Sequence, residues 1–119
     1  MSKIAMVTGA GTGVGRRVSE VLSKEGIFVY LIGRRKEKLV ETQKMCSGHT
    51  EILQCDVSDP LAVENAFKIL ETNHGRIDVL FNNAGIGVPP QSIDEMPFEN
   101  WKSVVDINLN GMFLCAKYA

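Results

Sequence analysis

At 119 residues the chain has the size of one domain with a moderate core, and a second full domain is excluded. Its 13 basic and 14 acidic side chains nearly cancel, and like charges never run together far enough to mark a nucleic-acid or anionic-membrane binder, which leaves small molecules and protein as partners. The longest apolar run, Ile27 to Ile32, is far too short for a bilayer span, no hydrophobic signal region opens the chain, and Cys46, Cys55 and Cys115 lack metal-ligand spacing, so they read as reduced thiols of a cytoplasmic protein without a metal site.

Lys3 to Thr8 is short, mostly apolar and ends at glycines, as a strand buried in a parallel sheet does. Val14, Val18, Val21 and Leu22 then recur at helical spacing up to Gly26, which predicts a helix that turns those four residues to the core. Ile27 to Ile32, β-branched and aromatic, predicts a second strand with Tyr30 in the core. Arg35 to Cys46 predicts a second helix with Leu39, Thr42, Met45 and Cys46 on one face. Glu51 to Asp56 is the third predicted strand, and Asp59-Pro60 offers an N-cap and a first-turn proline to a helix with Val63, Ala66, Phe67 and Leu70 in one stripe before Gly75. His49 and His74, beside helix-ending glycines, suit surface or C-terminal capping roles. Asp78 to Asn82 is the fourth predicted strand. A Gly/Pro loop from Gly85 to Pro90 follows, and then a helical stretch with Trp101, Val104, Val105 and Asn108 on one face. Strands alternating with helices of about a dozen residues predict an α/β fold, a doubly wound parallel sheet in one domain over residues 1–119.

The first strand-helix junction reads Gly-Ala-Gly-Thr-Gly-Val-Gly from Gly9 to Gly15. Glycines there let the backbone turn sharply and approach a pyrophosphate, while the helix N-terminus favours its charge, so Gly9, Gly11, Thr12, Gly13, Val14 and Gly15 are candidate cofactor-binding residues of a Rossmann-type domain. The alternative use, tight strand-helix packing alone, does not need so many glycines so close together. The literal G-x-G-x-x-G fingerprint is absent, and no Gly-Lys-Ser/Thr follows to make a P-loop. At the end of the second strand, where an acidic residue would bind an adenosine ribose 2′-hydroxyl, the sequence has Gly33-Arg34-Arg35. No carboxylate repels a 2′-phosphate there, and Arg34 offers a bidentate contact to one, while Arg35 with Lys36 reads as solvated charge opening a helix.

Written as Thr8-Gly9-x-x-x-Gly13-x-Gly15, and joined by Asp56-Val57, Asn82-Asn83-Ala84-Gly85 and Asn108, the chain resembles the short-chain dehydrogenase/reductase family over its whole length. The resemblance implies a Rossmann-type sheet in the order 3-2-1-4. It also implies adenine contacts from Asp56 and Val57, and a dinucleotide path along Asn83, Ala84 and Gly85. Gly33 and Arg34 then imply NADP(H) in preference to NAD(H), although NADP-preferring relatives often carry a basic residue where Thr12 stands. Asn108 corresponds to one of four catalytic residues, holding a water in a proton relay to a lysine. The serine, the tyrosine and the lysine four residues after it have no counterpart here, since Tyr118 has no room for a Tyr-x-x-x-Lys.

The expected activity is therefore hydride transfer between NADP(H), or NAD(H), and a carbonyl or alcohol substrate by a homo-oligomeric full-length enzyme. These residues are its incomplete N-terminal part, expected to be inactive and poorly soluble alone. A non-catalytic dinucleotide sensor is the alternative, and Asn108 speaks against it. The epimerase branch, with G-x-x-G-x-x-G, fits the loop less well.

Overall fold

The computed structural model describes residues 3–119. Four strands, β1 (Ile4–Thr8), β2 (Phe28–Gly33), β3 (Thr50–Gln54) and β4 (Val79–Phe81), pair in parallel in the order β3-β2-β1-β4. The helices between them are α1 (Gly13–Lys24), α2 (Lys36–Met45) and α3 (Pro60–His74). Past β4 come a loop, a short 3₁₀ turn at Ile93–Glu95, α4 (Phe98–Val104), a π-helical segment (Val105–Asn110) and α5 (Gly111–Tyr118). The strands lie within the predicted ones except at their edges, where β2 runs on to Gly33 and β3 spans Thr50–Gln54, leaving Asp56 in the loop beyond it.

Strand residues alternate between two cores, as a sheet covered on both faces requires. Ile4, Met6, Tyr30 and Ile32 point to one side, where Val63, Ala66, Phe67 and Leu70 of α3 meet them with Ile107 and Cys115. Val7, Val29 and Leu31 point to the other, against Ala10 and Leu39, with Val18 and Leu22 packed on them. The α3 stripe is the predicted one. Asp59 Oδ1 accepts from the Leu61 and Ala62 N–H groups at 3.1 and 3.4 Å, and Gly75, at φ +71°, ends the helix.

Two sequence expectations are corrected. In α1 the residues buried against the sheet are Gly15, Ser19 and Ser23, whereas Val14 and Val21 are 64% and 45% exposed, because this helix lies close to the strands through its small side chains. In α2, Leu39 and Thr42 are buried as expected but Met45, at the last position, is 52% exposed. His49 is exposed and His74 stands in the last turn of α3, as expected, and both also make ring contacts: His74 meets the Phe28 and Tyr30 rings edge-on at 4.7 and 5.5 Å, and the His49 ring stacks on Phe28 at 6.2 Å. Tyr30 is fully buried, and its hydroxyl accepts from Asn73 Nδ2 at 3.3 Å. Cys46, Cys55 and Cys115 form no disulfide, and burial pushes the Cys55 and Cys115 thiols up to about 12 and about 11, so both stay protonated at neutral pH. Among the described residues no helix is long and apolar enough to cross a membrane.

Candidate functional site

The chain passes from β1 to β2 and β3 on one side, then returns to place β4 on the other side of β1. Connections leaving the strand ends therefore part above β1, the place where open α/β sheets bind ligands. A groove of about 190 Å³ lies there. Gly9, Gly11 and Thr12 line it from the glycine loop, Gly33, Arg34 and Arg35 from the end of β2, Asp56 and Val57 from beyond β3, and Ala84, Gly85 and Ile86 from beyond β4. A larger hollow of about 430 Å³ sits beside the start of β4, lined by Glu64, Lys68, Glu71 and Tyr118. It has neither a glycine loop nor a helix N-terminus, so chemistry rather than volume selects the groove.

The glycine loop is folded onto itself. Gly9 has φ +65°, a region costly for other residues, and a Cβ placed on Gly15 would collide with the Gly9 carbonyl and lie 2.9 Å from Asn83 Nδ2. Gly15 and Asn83 thus shape the loop from behind, while Gly13 and Val14 stand on the solvent side of the first turn of α1, outside the groove lining. Thr12 precedes α1 in extended conformation, and its side chain makes no capping bond, unlike that of Asp59 at α3. The first-turn N–H groups of α1 therefore remain available to an anion at the loop, the donor set that a pyrophosphate needs.

One hydroxyl anchors the start of the segment beyond β4. Thr8, fully buried at the end of β1, accepts from the Asn83 and Ala84 N–H groups, both at 2.9 Å, and donates to the Phe81 carbonyl at 3.4 Å. Asn83 Nδ2 returns a bond to the Thr8 carbonyl at 3.4 Å, and Asn82 Nδ2 reaches the Met112 carbonyl at 2.8 Å. On the opposite side Asp56 Oδ1 accepts from the Ser58 N–H and hydroxyl at 3.0 and 2.7 Å, which turns the chain after β3 toward α3.

Asn108 does not share a buried stripe with Trp101. Trp101 is 60% exposed and Asn108 is itself accessible, and the helix widens to i→i+5 bonding around Asn108, with the Gly111 N–H donating to the Asp106 carbonyl. That extra residue breaks the 3.6-residue phase, and such wide turns recur at functional sites. The amide of Asn108 pairs with one backbone residue at both ends: Oδ1 accepts from the Ile86 N–H at 2.7 Å, and Nδ2 donates to the Ile86 carbonyl at 2.9 Å. Gly85 lies against the same amide, where a Cβ would be 3.2 Å from Oδ1. Asn108 therefore pins the wall of the groove.

Arg16 escaped the sequence reading although it joins both sides of the groove. Its Nε donates to Thr42 Oγ1 at 3.0 Å, and its Nη2 reaches the Gly11 carbonyl at 2.5 Å, the Lys38 carbonyl at 3.2 Å and Glu41 Oε2 at 3.3 Å. Thr42 Oγ1 in turn donates to the Ala10 carbonyl at 2.7 Å. The Arg16 bond, with Lys38 nearby, holds the Glu41 carboxyl below the usual carboxylate range. Arg35, expected only as solvated charge, lines the groove, as do Lys38 and Ile86. Arg34 lines it too, and its carbonyl accepts from Gln54 Nε2 at 3.0 Å, tying the end of β2 to β3.

Residues 3–119 match the family model described as short chain dehydrogenase. A 3beta-hydroxysteroid dehydrogenase of Mediterraneibacter gnavus is 37% identical over 118 residues, covering 97% of this chain and 43% of that protein. The crystal structure of NAD+-bound xylitol dehydrogenase superposes with a TM-score of 0.93 at 28% identity, covering 98% of this chain and 46% of that one. A metagenomic short-chain oxidoreductase in complex with NADP superposes with a TM-score of 0.91 at 31% identity, covering 98% and 53%. The chain thus spans about half the length of these relatives.

Proposed function

The chain belongs to the short-chain dehydrogenase family, and on that premise we propose that it binds a nicotinamide dinucleotide, NADP(H) ahead of NAD(H), for an enzyme that interconverts a carbonyl and an alcohol. The observation that carries this reading is the groove itself, where the glycine loop, Gly33-Arg34, Asp56-Val57 and Ala84-Gly85 meet. Gly9, Gly11 and Thr12, with the α1 N-terminus that begins at Gly13, Val14 and Gly15, cradle the pyrophosphate. Arg34 takes the ribose 2′-phosphate, Asp56 and Val57 flank the adenine, and Asn83, Ala84 and Gly85 carry the path toward the reacting end. The nicotinamide, when bound, supplies or accepts the hydride.

Replacing Arg34 with alanine tests the cofactor assignment. NADPH affinity, measured by fluorescence titration of the full-length protein, is expected to fall by about tenfold to hundredfold, the loss of a charged hydrogen bond, while NADH affinity changes little. Equal affinities for the two dinucleotides before any substitution would overturn it.

Asn108 is proposed to serve turnover by holding Ile86 and Gly85 in place and presenting its remaining amide capacity to a relay water. The acid/base that protonates the substrate oxygen is not among these 119 residues, which contain no Tyr-x-x-x-Lys. Asn108→Ala frees the Ile86 backbone from two bonds worth about 0.5–1.5 kcal/mol each, and kcat of the full-length protein is expected to drop by about tenfold or more. A kcat within about twofold of the parent would remove Asn108 from the mechanism. Buried, protonated Cys55 and Cys115 support a reducing cytoplasmic setting, and the exposed Phe98, Trp101 and Phe113 support assembly into a homo-oligomer.

A further inference from the structure

Three cations line the groove, and one of them does not come from the end of β2. Lys38, in the first turn of α2, approaches from the glycine-loop side: a Cβ placed on Gly11 would lie 2.9 Å from the Lys38 Cβ, so its stem packs on the loop next to Thr12. The loop has no cation of its own between Gly9 and Gly15.

The Lys38 backbone is fixed from several directions. Its N–H donates to the Arg35 carbonyl at 3.1 Å, and its carbonyl accepts from Arg16 Nη2 at 3.2 Å, with Thr42 Oγ1 3.3 Å away. The ammonium, by contrast, is held loosely. It rests 3.5 Å from Glu41 Oε2, with the two side chains 38% and 51% exposed, and such surface pairs are weak. Glu41 also accepts from Arg16 at 3.3 Å, so a departure of Lys38 leaves the carboxylate paired and strands no charge. A phosphate monoester, carrying about −1.5 to −2 charge, is a better partner for the ammonium than a shared carboxylate.

Resting on the dinucleotide reading above, we propose that Lys38 is a second cation for the adenosine ribose 2′-phosphate, exchanging Glu41 for the phosphate and closing on it opposite Arg34. Arg34 supplies the planar, bidentate contact and Lys38 a mobile point charge. Arg16 and Thr42 are positioning residues that keep the first turn of α2 against the loop. NADH, with no 2′-phosphate, gains nothing from Lys38.

The test is fluorescence titration of NADPH and NADH into the full-length protein at low and high salt, comparing the parent with Lys38→Met, Lys38→Arg and Arg34→Ala. Lys38→Met is expected to weaken NADPH by about tenfold, leave NADH within about twofold, and flatten the salt dependence of NADPH binding. Lys38→Arg, which keeps the charge, should stay within about threefold of the parent for both. A parent that prefers NADPH and loses it on Arg34→Ala, but not on Lys38→Met, would overturn the role of Lys38 alone. So would an equal loss of both dinucleotides in Lys38→Met, which would mark Lys38 as merely structural. A parent that binds neither dinucleotide, or both equally, would overturn the underlying cofactor assignment as well.

Discussion

Gly15→Ala is expected to lower dinucleotide affinity by about a hundredfold or more, about 2.7 kcal/mol, in a protein whose sheet still forms. The new methyl group would occupy the space of the Gly9 carbonyl, which is backbone and cannot swing aside, and would press on the Asn83 side-chain amide, whose Nδ2 lies 2.9 Å away. The Gly9 carbonyl belongs to a residue at φ +65° whose neighbour Ala10 is tied to the Ile32 carbonyl at 3.0 Å, so it has no direction in which to retreat. Relief would come from lifting the first turn of α1, and that turn supplies the N–H groups proposed to meet the pyrophosphate. Overpacking of this kind costs about 1–3 kcal/mol, and here the cost falls on the loop conformation that binds. Gly87→Ala is the control, because a Cβ there would meet nothing within 4 Å, and its affinity should stay within about twofold. Far-ultraviolet circular dichroism would establish folding and a fluorescence titration would give the affinities. A Gly15→Ala protein that binds NADPH as the parent does would show that the close approach of α1 to the loop is dispensable.

Where packing follows ordinary helical phase, the sequence was legible. Val63, Ala66, Phe67 and Leu70 lie on α3 at the spacing of its buried stripe, and Asp59, Pro60 and Gly75 mark its ends by local chemistry alone. Residues beside strand ends were legible for a related reason, since a doubly wound sheet delivers Gly9, Gly33, Asp56 and Ala84 to one crevice whatever their separation in the chain. The α1 face was misread because hydrophobicity is a poor guide to a helix that packs by smallness. Ser19 satisfies its hydroxyl on the Gly15 carbonyl at 2.7 Å and Ser23 accepts the Gly48 N–H at 2.6 Å, so both are buried without cost while Val14 turns outward. The setting of Asn108 was missed for want of one signal that was present. Val105 to Asn110 alternates apolar and polar residues strictly, a period that does not suit a regular helix, and the helix widens over those six residues. Arg16 and Lys38 carried no such mark, because Lys38 lines the groove, and Arg16 bonds to its Gly11 and Lys38 walls, only through the packing of α1 on α2, which no local spacing encodes.

Thr8→Val is expected to destabilise the protein by about 2–3 kcal/mol and to weaken NADPH binding by about tenfold, whereas Thr8→Ser costs about 1 kcal/mol and leaves binding near the parent value. Valine matches threonine in shape and is the more apolar, so at a fully buried strand position packing alone would rank it above serine. The hydroxyl reverses that order. Two N–H groups, those of Asn83 and Ala84, converge on Thr8 Oγ1 at 2.9 Å, and its own proton goes to the Phe81 carbonyl at 3.4 Å. Valine strands both N–H groups in a half-buried place, at about 1–3 kcal/mol each, with the lower end applying because water reaches them in part. Serine keeps all three bonds and loses one methyl group. The binding loss follows from the same geometry, since Ala84 and Gly85 line the groove and leave β4 in the direction that Thr8 sets. Thermal unfolding and NADPH titration of the two variants decide the matter. A Thr8→Val protein as stable as the parent, with serine the worse substitution, would mean that side-chain volume rather than the hydroxyl holds the end of β1 to the segment beyond β4.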